Sequence, residues 1–243
     1  MTTLPSFIKV IIVGLALMMI ICAQSFAQSQ ASGTYGELRP ELETHFQLRD
    51  NVRLLGFFES ENGVDFDYRQ LDTGLRLGYQ RKEITKPHLQ NIDPDKEYTL
   101  LLGGGYEYLN TDQLGKTKYE NRMMLAGTVG FRPLSPLLIR DRNRVEFRWD
   151  NGVYSTRYRN QLTVEYDILI HRFRLTPYAA AEVYYDGAHH SWDEEDYSAG
   201  VQWPYKRVLM LDTYYLRQNS SDSLPEYVNV FGVKLNFYFG GKK

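Results

Sequence analysis

The chain is almost without cysteine. Of its 243 residues only Cys22 carries a thiol, and it lies near the amino terminus. Disulfide frameworks, thiolate nucleophiles and cysteine-held metals are therefore excluded from everything that follows it. A basic surplus is missing too: 28 Lys and Arg stand against 30 Asp and Glu, a net charge of −2. Proteins that bind nucleic acid neutralise phosphates with such a surplus, so nucleic acid is not an expected partner. Beyond Cys22 there is no long apolar run, almost no helical periodicity, and no Pro-, Gly- or Ser-rich stretch that could link two domains.

Residues 1–27 have the three parts of a secretory signal. Lys9 supplies the positive flank, Val10 to Cys22 the apolar run, and Ser25-Phe26-Ala27 a small-residue cleavage site before Gln28. The run is shorter than the ~20 residues of a spanning helix, so removal is expected rather than anchorage. Ile21 precedes Cys22 where lipoprotein signals resemble a small residue, so no lipid is expected there. The remaining residues, 28–243, are expected to form one domain.

What the chain does have is aromatic residues, 14% of the total with 19 Tyr and 12 Phe, at a mean hydropathy of −0.44. Apolar and polar residues alternate with period 2, the mark of strands. Leu71, Thr73, Leu75, Leu77 and Tyr79 share one parity, against Asp72, Gly74, Arg76 and Gly78. Phe173 to Tyr185 and Phe231 to Phe239 repeat the pattern. Eleven such segments are read: 36–48, 51–60, 64–81, 97–110, 118–132, 137–149, 153–167, 171–186, 192–204, 206–219 and 226–240. Residues 82–96 read as the longest loop. Many segments reach the ~9–11 residues of a tilted membrane strand and exceed the ~5–6 of a soluble sheet.

These features predict an all-β fold: a single antiparallel transmembrane β-barrel in the outer membrane of a Gram-negative cell. Bacterial barrels have an even strand number, so about 12 strands are expected, with 10 as the alternative. The first segment is the weakest, because Pro40 interrupts its ladder. Trp149, Trp203, Tyr185, Tyr205 and Phe239 sit near strand ends, as aromatic girdles do.

Asn151-Gly152 between alternating runs is a strong type I′ hairpin signal. A two-residue loop sets Glu146 opposite Arg157, Arg144 opposite Arg159 and Asn143 opposite Asn160. An Arg at mid-bilayer costs about 2–4 kcal/mol on a barrel's lipid face, so the arginine stripe must face the lumen. The expected lumen network is Arg142, Arg144, Glu146, Arg148, Arg157, Arg159, Glu165, Arg172, Arg174 and Glu182. Asn143 and Asn160 then fall on the lipid face, where they would satisfy each other or lie near the interface.

The runs Asp141-Arg-Asn-Arg-Val-Glu-Phe-Arg148, Arg157-Tyr-Arg-Asn160, Leu175-Thr-Pro-Tyr-Ala-Ala-Ala-Glu-Val-Tyr-Tyr-Asp186 and Tyr214-Tyr-Leu-Arg-Gln218 occur in this order. The series resembles the bacterial domain-of-unknown-function 2490 family, clearest over residues 137–240. The resemblance implies an outer-membrane barrel and no particular activity.

No motif claims a reaction. Ser191 beside His190 is adjacency in a loop, and no nucleophile-elbow pattern occurs. His189-His190 before Asp193-Glu194-Glu195-Asp196 has no recognisable ligand spacing. No catalytic, cofactor-binding or metal residues are expected, no cofactor, and no enzyme. The expected function is a narrow porin-like pore or a structural envelope component with an Arg/Glu-lined lumen. Its expected partners are outer-membrane lipids, the outer-membrane insertion machinery and an unidentified small solute. Two other readings stay open: an outer-membrane enzyme acting on lipid or lipopolysaccharide, and a soluble secreted β-protein.

Overall fold

A strand that is apolar on one face and charged on the other needs two environments, and a closed sheet supplies both without leaving an edge. The computed structural model of the protein describes residues 34–82, 93–134, 136–170, 173–206, 208–221 and 226–240. The leader at 1–27 and Arg172 lie outside them. Twelve strands run in chain order: β1 (Thr34–Arg49), β2 (Val52–Gly63), β3 (Tyr68–Lys82), β4 (Tyr98–Gln113), β5 (Lys116–Leu134), β6 (Leu137–Asp150), β7 (Val153–Tyr166), β8 (Ile168–Ile170), β9 (Phe173–Asp186), β10 (Ser191–Tyr205), β11 (Leu209–Ser220) and β12 (Tyr227–Phe239). A 3-10 turn, Pro94–Glu97, precedes β4.

Eleven of these strands close the ring, each beside its chain neighbour. They correspond one for one to the eleven alternating segments of the sequence. β8 prolongs β7 past Asp167 and pairs only with the start of β9. The chain thus has about the twelve strands expected, but the closed ring holds eleven of them rather than an even number. With eleven strands the last must run parallel to the first, and β12 pairs parallel to β1 from Thr34↔Tyr227 to Phe46↔Phe239. All other pairings are antiparallel. The even-number rule assumes that both chain ends of a barrel face one side. Here the start of β1 and the end of β12 lie at opposite rims. β1 continues through Pro40, which keeps its place opposite Val233.

The Asn151-Gly152 hairpin sets the register as expected. Both residues have positive φ, 47° and 86°, the backbone a type I′ turn requires. Asp150 faces Val153, Glu146 faces Arg157, Arg144 faces Arg159 and Asn143 faces Asn160. We call this end the upper rim; the turns after β1, β5 and β10 form the lower rim.

Alternation now sorts the side chains. Leu42, Leu75, Leu77, Leu102, Met123, Leu125 and Val129 are exposed on the outside, while Asp72, Glu107, Arg144, Glu146, Glu165 and Glu182 are buried within. This inverts a soluble sandwich, whose charges face out. Aromatic pairs mark both rims: Trp149–Tyr154 and Tyr185–Trp192 above, Phe46–Phe239 below, each pair 5.4 Å between centroids. Asn143 and Asn160 do fall on the outer face. Asn160 Nδ2 donates to Asp141 Oδ1 at 2.6 Å and to Asn143 Oδ1 at 3.2 Å, and Tyr158 OH donates to Asn143 Oδ1 at 2.5 Å. The exception to the apolar face thus satisfies itself.

Two inward tyrosines lie over glycines. Tyr214 faces Gly232 across β11–β12, and Tyr178 faces Gly200 across β9–β10. A Cβ at Gly232 would come within 2.0 Å of the Tyr214 ring, whose hydroxyl donates to Glu41. Gly232→Val should lower unfolding free energy by about 1–3 kcal/mol, the range for overpacking a filled site. Urea titration of the folded barrel measures it; an unmoved midpoint would mean that the ring swings aside freely.

Candidate functional site

Strands ~4.8 Å apart and tilted by ~40° give an eleven-membered ring a backbone diameter on the order of 22 Å. Long side chains from every strand reach into that bore, and a cavity of about 640 Å³ remains between them.

The inward stripe of β6 and β7 builds the densest part. Glu146, 0% exposed, receives Arg144 Nη2 at 2.5 Å, Arg159 Nη1 at 3.3 Å and Arg122 Nε at 3.6 Å. Glu182 on β9 takes Arg159 through both oxygens, Nε at 3.0 Å and Nη2 at 2.8 Å, and Arg142 Nη2 at 3.1 Å. Arg148 grips Glu120 on β5 with two bonds of 2.7 Å, the fork geometry that makes such pairs strong. Arg157 is held more loosely, 3.8–3.9 Å from Asp186, Asp193 and Glu194. Glu165, near the lower rim, pairs with Arg140 and with Lys96. Arg174 stands apart from the cavity. It donates to Asp167 Oδ2 at 3.0 Å where β7 gives way to β8.

Of the ten predicted lumen residues, nine are thus described, all inward and all paired with opposite charge. Several members were missed. Arg140 shares the parity of Arg142 and could have been found by that rule. Glu107 stands on the polar parity of β4, where it accepts from Arg76 at 2.7 Å and from Arg122 at 3.3 Å. Carboxylates on β1 to β3 complete the far wall: Glu41 faces Glu59, and Glu59 faces Asp72.

By its sequence 82–96 reads as a plain loop, but the stretch before β4 is more than that. Its end turns into the bore at the lower rim. Asp93 Oδ1 accepts from Arg53 on β2 at 3.3 Å. Burial pushes the Asp93 carboxyl up, but Arg53, His45, Lys96 and Arg140 together outweigh this and hold it below the usual carboxylate range. Lys96, 2% exposed, reaches Glu165 on β7 at 2.5 Å and Gln202 on β10. The Lys96 carbonyl accepts from Arg132 on β5 at 3.3 Å. Partners on β2, β5, β7 and β10 surround the ring, so the segment crosses the bore.

The family model described as "Protein of unknown function (DUF2490)" matches residues 92–229, more than half of the chain. The chain belongs to the DUF2490 family. That match spans the Arg/Glu stripe and starts beside the segment that crosses the bore, so both features lie in the part this DUF2490 barrel shares with its family. No curated protein matches it. Among solved structures it is similar to LpxR from Salmonella typhimurium, at 10% identity and a TM-score of 0.47, with 77% of this chain and 83% of that chain covered. Among the described residues, no group of three or more His, Cys, Asp or Glu is placed to hold a metal ion.

Proposed function

We propose that this DUF2490 barrel is an outer-membrane envelope component whose bore is stoppered rather than a porin-like pore. The observation that carries the reading is Lys96, fixed across the lumen between β7 and β10 while Asp93 holds β2. An open channel needs a continuous water path, and a buried, ion-paired segment across the lower rim interrupts it. The outward belt supports the location. Leu75, Leu77, Leu102 and Leu125 are exposed on neighbouring strands, a contiguous apolar face of the kind that marks a membrane contact. In this reading lipids solvate the belt, the insertion machinery assembles the barrel, and the chain is not an enzyme.

Conductance in planar bilayers tests the stopper. The wild-type protein should give no stable current steps. Replacing both Asp93 and Lys96 by Ala should produce them, because Glu165 and Arg53 lose the partners that span the bore. Steady ion current through the wild-type barrel would overturn the stoppered reading in favour of a pore.

A further inference from the structure

The lumen charges are segregated by wall, and this goes beyond the envelope role, since it rests on the interior alone. Among the cavity-lining residues, β1–β3 with β11–β12 contribute seven carboxylates against Arg39, Arg76 and Lys234. β5–β7 contribute seven arginines to the lining against Glu120 and Glu165, with Glu146 fully buried behind them. In an eleven-strand ring β6 lies across the bore from β1 and β12. An anionic wall therefore faces a cationic wall across a cavity of about 640 Å³.

Pairing within each wall is uneven, and some members are held only by single or long contacts. Asp72 lines the cavity at 8% exposure, and its Oδ1 has no hydrogen-bond partner among the described residues. The residue opposite it on β2 is another carboxylate, Glu59, whose ion pair with Arg39 spans 3.6 Å. On the other wall Arg157 has no ion pair shorter than 3.8 Å among the described residues. Arg142 keeps 31% of its side chain accessible and makes one hydrogen bond, to Glu182. A buried charged group with an unmet oxygen or only long pairs is costly, and like charges side by side add to that cost. Water and single ions relieve either wall alone. One molecule with a cationic and an anionic end relieves both.

We propose that the lumen binds a small zwitterion, with an ammonium group against Asp72 and Glu59 and a phosphate or carboxylate against Arg142. Arginine's planar fork suits such an oxyanion. The volume lies within the ~300–1,000 Å³ of small-molecule sites. The ligand chemistry is shared by a free aminoalkyl phosphate and by a phospholipid headgroup of the same kind.

Calorimetric titration of the folded barrel in detergent tests this, with phosphoethanolamine, ethanolamine and inorganic phosphate as separate probes. Phosphoethanolamine should bind at least tenfold more tightly than either half-molecule. Asp72→Asn should weaken phosphoethanolamine at least tenfold and leave phosphate unchanged, whereas Arg142→Gln should weaken both. Retained heat-dependent gel mobility shows that each variant is folded. Competition by phosphatidylethanolamine in the micelle would identify a lipid source, and its failure a free solute. Phosphoethanolamine binding no tighter than phosphate, or no binding of any probe, would overturn the proposal.

Discussion

Glu146→Ala should destabilise the barrel by about 3–5 kcal/mol, the cost of removing one partner from a buried ionic network. Glu146 is fully buried and gathers Arg144, Arg159 and Arg122. Without it three guanidiniums from neighbouring strands face one another with less compensation. Arg159 would keep Glu182, and Arg122 would keep Glu107 and Glu120. Among the described residues Arg144 would keep one ion pair, the longer contact to Glu107 at 3.8 Å, and a weak bond to Met124 Sδ at 3.7 Å. The second substitution Arg144→Ala should therefore restore part of the loss, a coupling that a double-mutant cycle measures directly. Urea unfolding of refolded protein in lipid vesicles gives the values. A loss below about 1 kcal/mol would mean that lumen water screens the network as it screens surface pairs.

If the barrel sits in a membrane as proposed, Leu75→Arg should cost about 2–4 kcal/mol, because it puts a guanidinium on the outer face midway along β3. Leu75 is 59% exposed and points outward beside Gly56 and Tyr106. The same position separates the competing environments. On a soluble protein an exposed Leu→Arg change stays within about ±0.5 kcal/mol. Arg76, the next residue, already faces inward and donates to Glu107 at 2.7 Å, so one step along the chain exchanges the two environments. The yield of folded protein in vesicles and its urea midpoint both report the effect. Leu75→Phe should leave them unchanged.

Much of this architecture is legible in the sequence, for a physical reason. Period-2 alternation and the Asn151-Gly152 turn are local signals, and together they fix β6 against β7 residue by residue. The arginine stripe follows, because charge on one parity and Leu or Val on the other leaves a single inexpensive orientation. Ring closure is not local. Nothing in any one strand distinguishes eleven from twelve, and the parallel β1–β12 seam exists only because the count is odd. The stopper is hidden for a related reason. Asp93 and Lys96 stand in a polar stretch without periodicity, and their partners Arg53, Glu165 and Gln202 are distant in sequence. The anionic wall was within reach: Asp72 and Arg76 share the polar parity of β3, and the rule applied to β6 and β7 extends to them.

In the proposed membrane setting lipid meets one parity of each strand and the lumen meets the other. Since the sequence has no cysteine after Cys22, single cysteines can be introduced one at a time along β5 from Arg122 to Val129 and labelled with an environment-sensitive fluorophore in vesicles carrying lipid-attached quenchers. Met123, Leu125, Gly127 and Val129 should be quenched from the bilayer, and Arg122, Met124, Ala126 and Thr128 should not. A period of two in quenching is the predicted result. Uniform quenching, or none at any of the eight positions, would contradict the barrel's inside-out arrangement in a membrane.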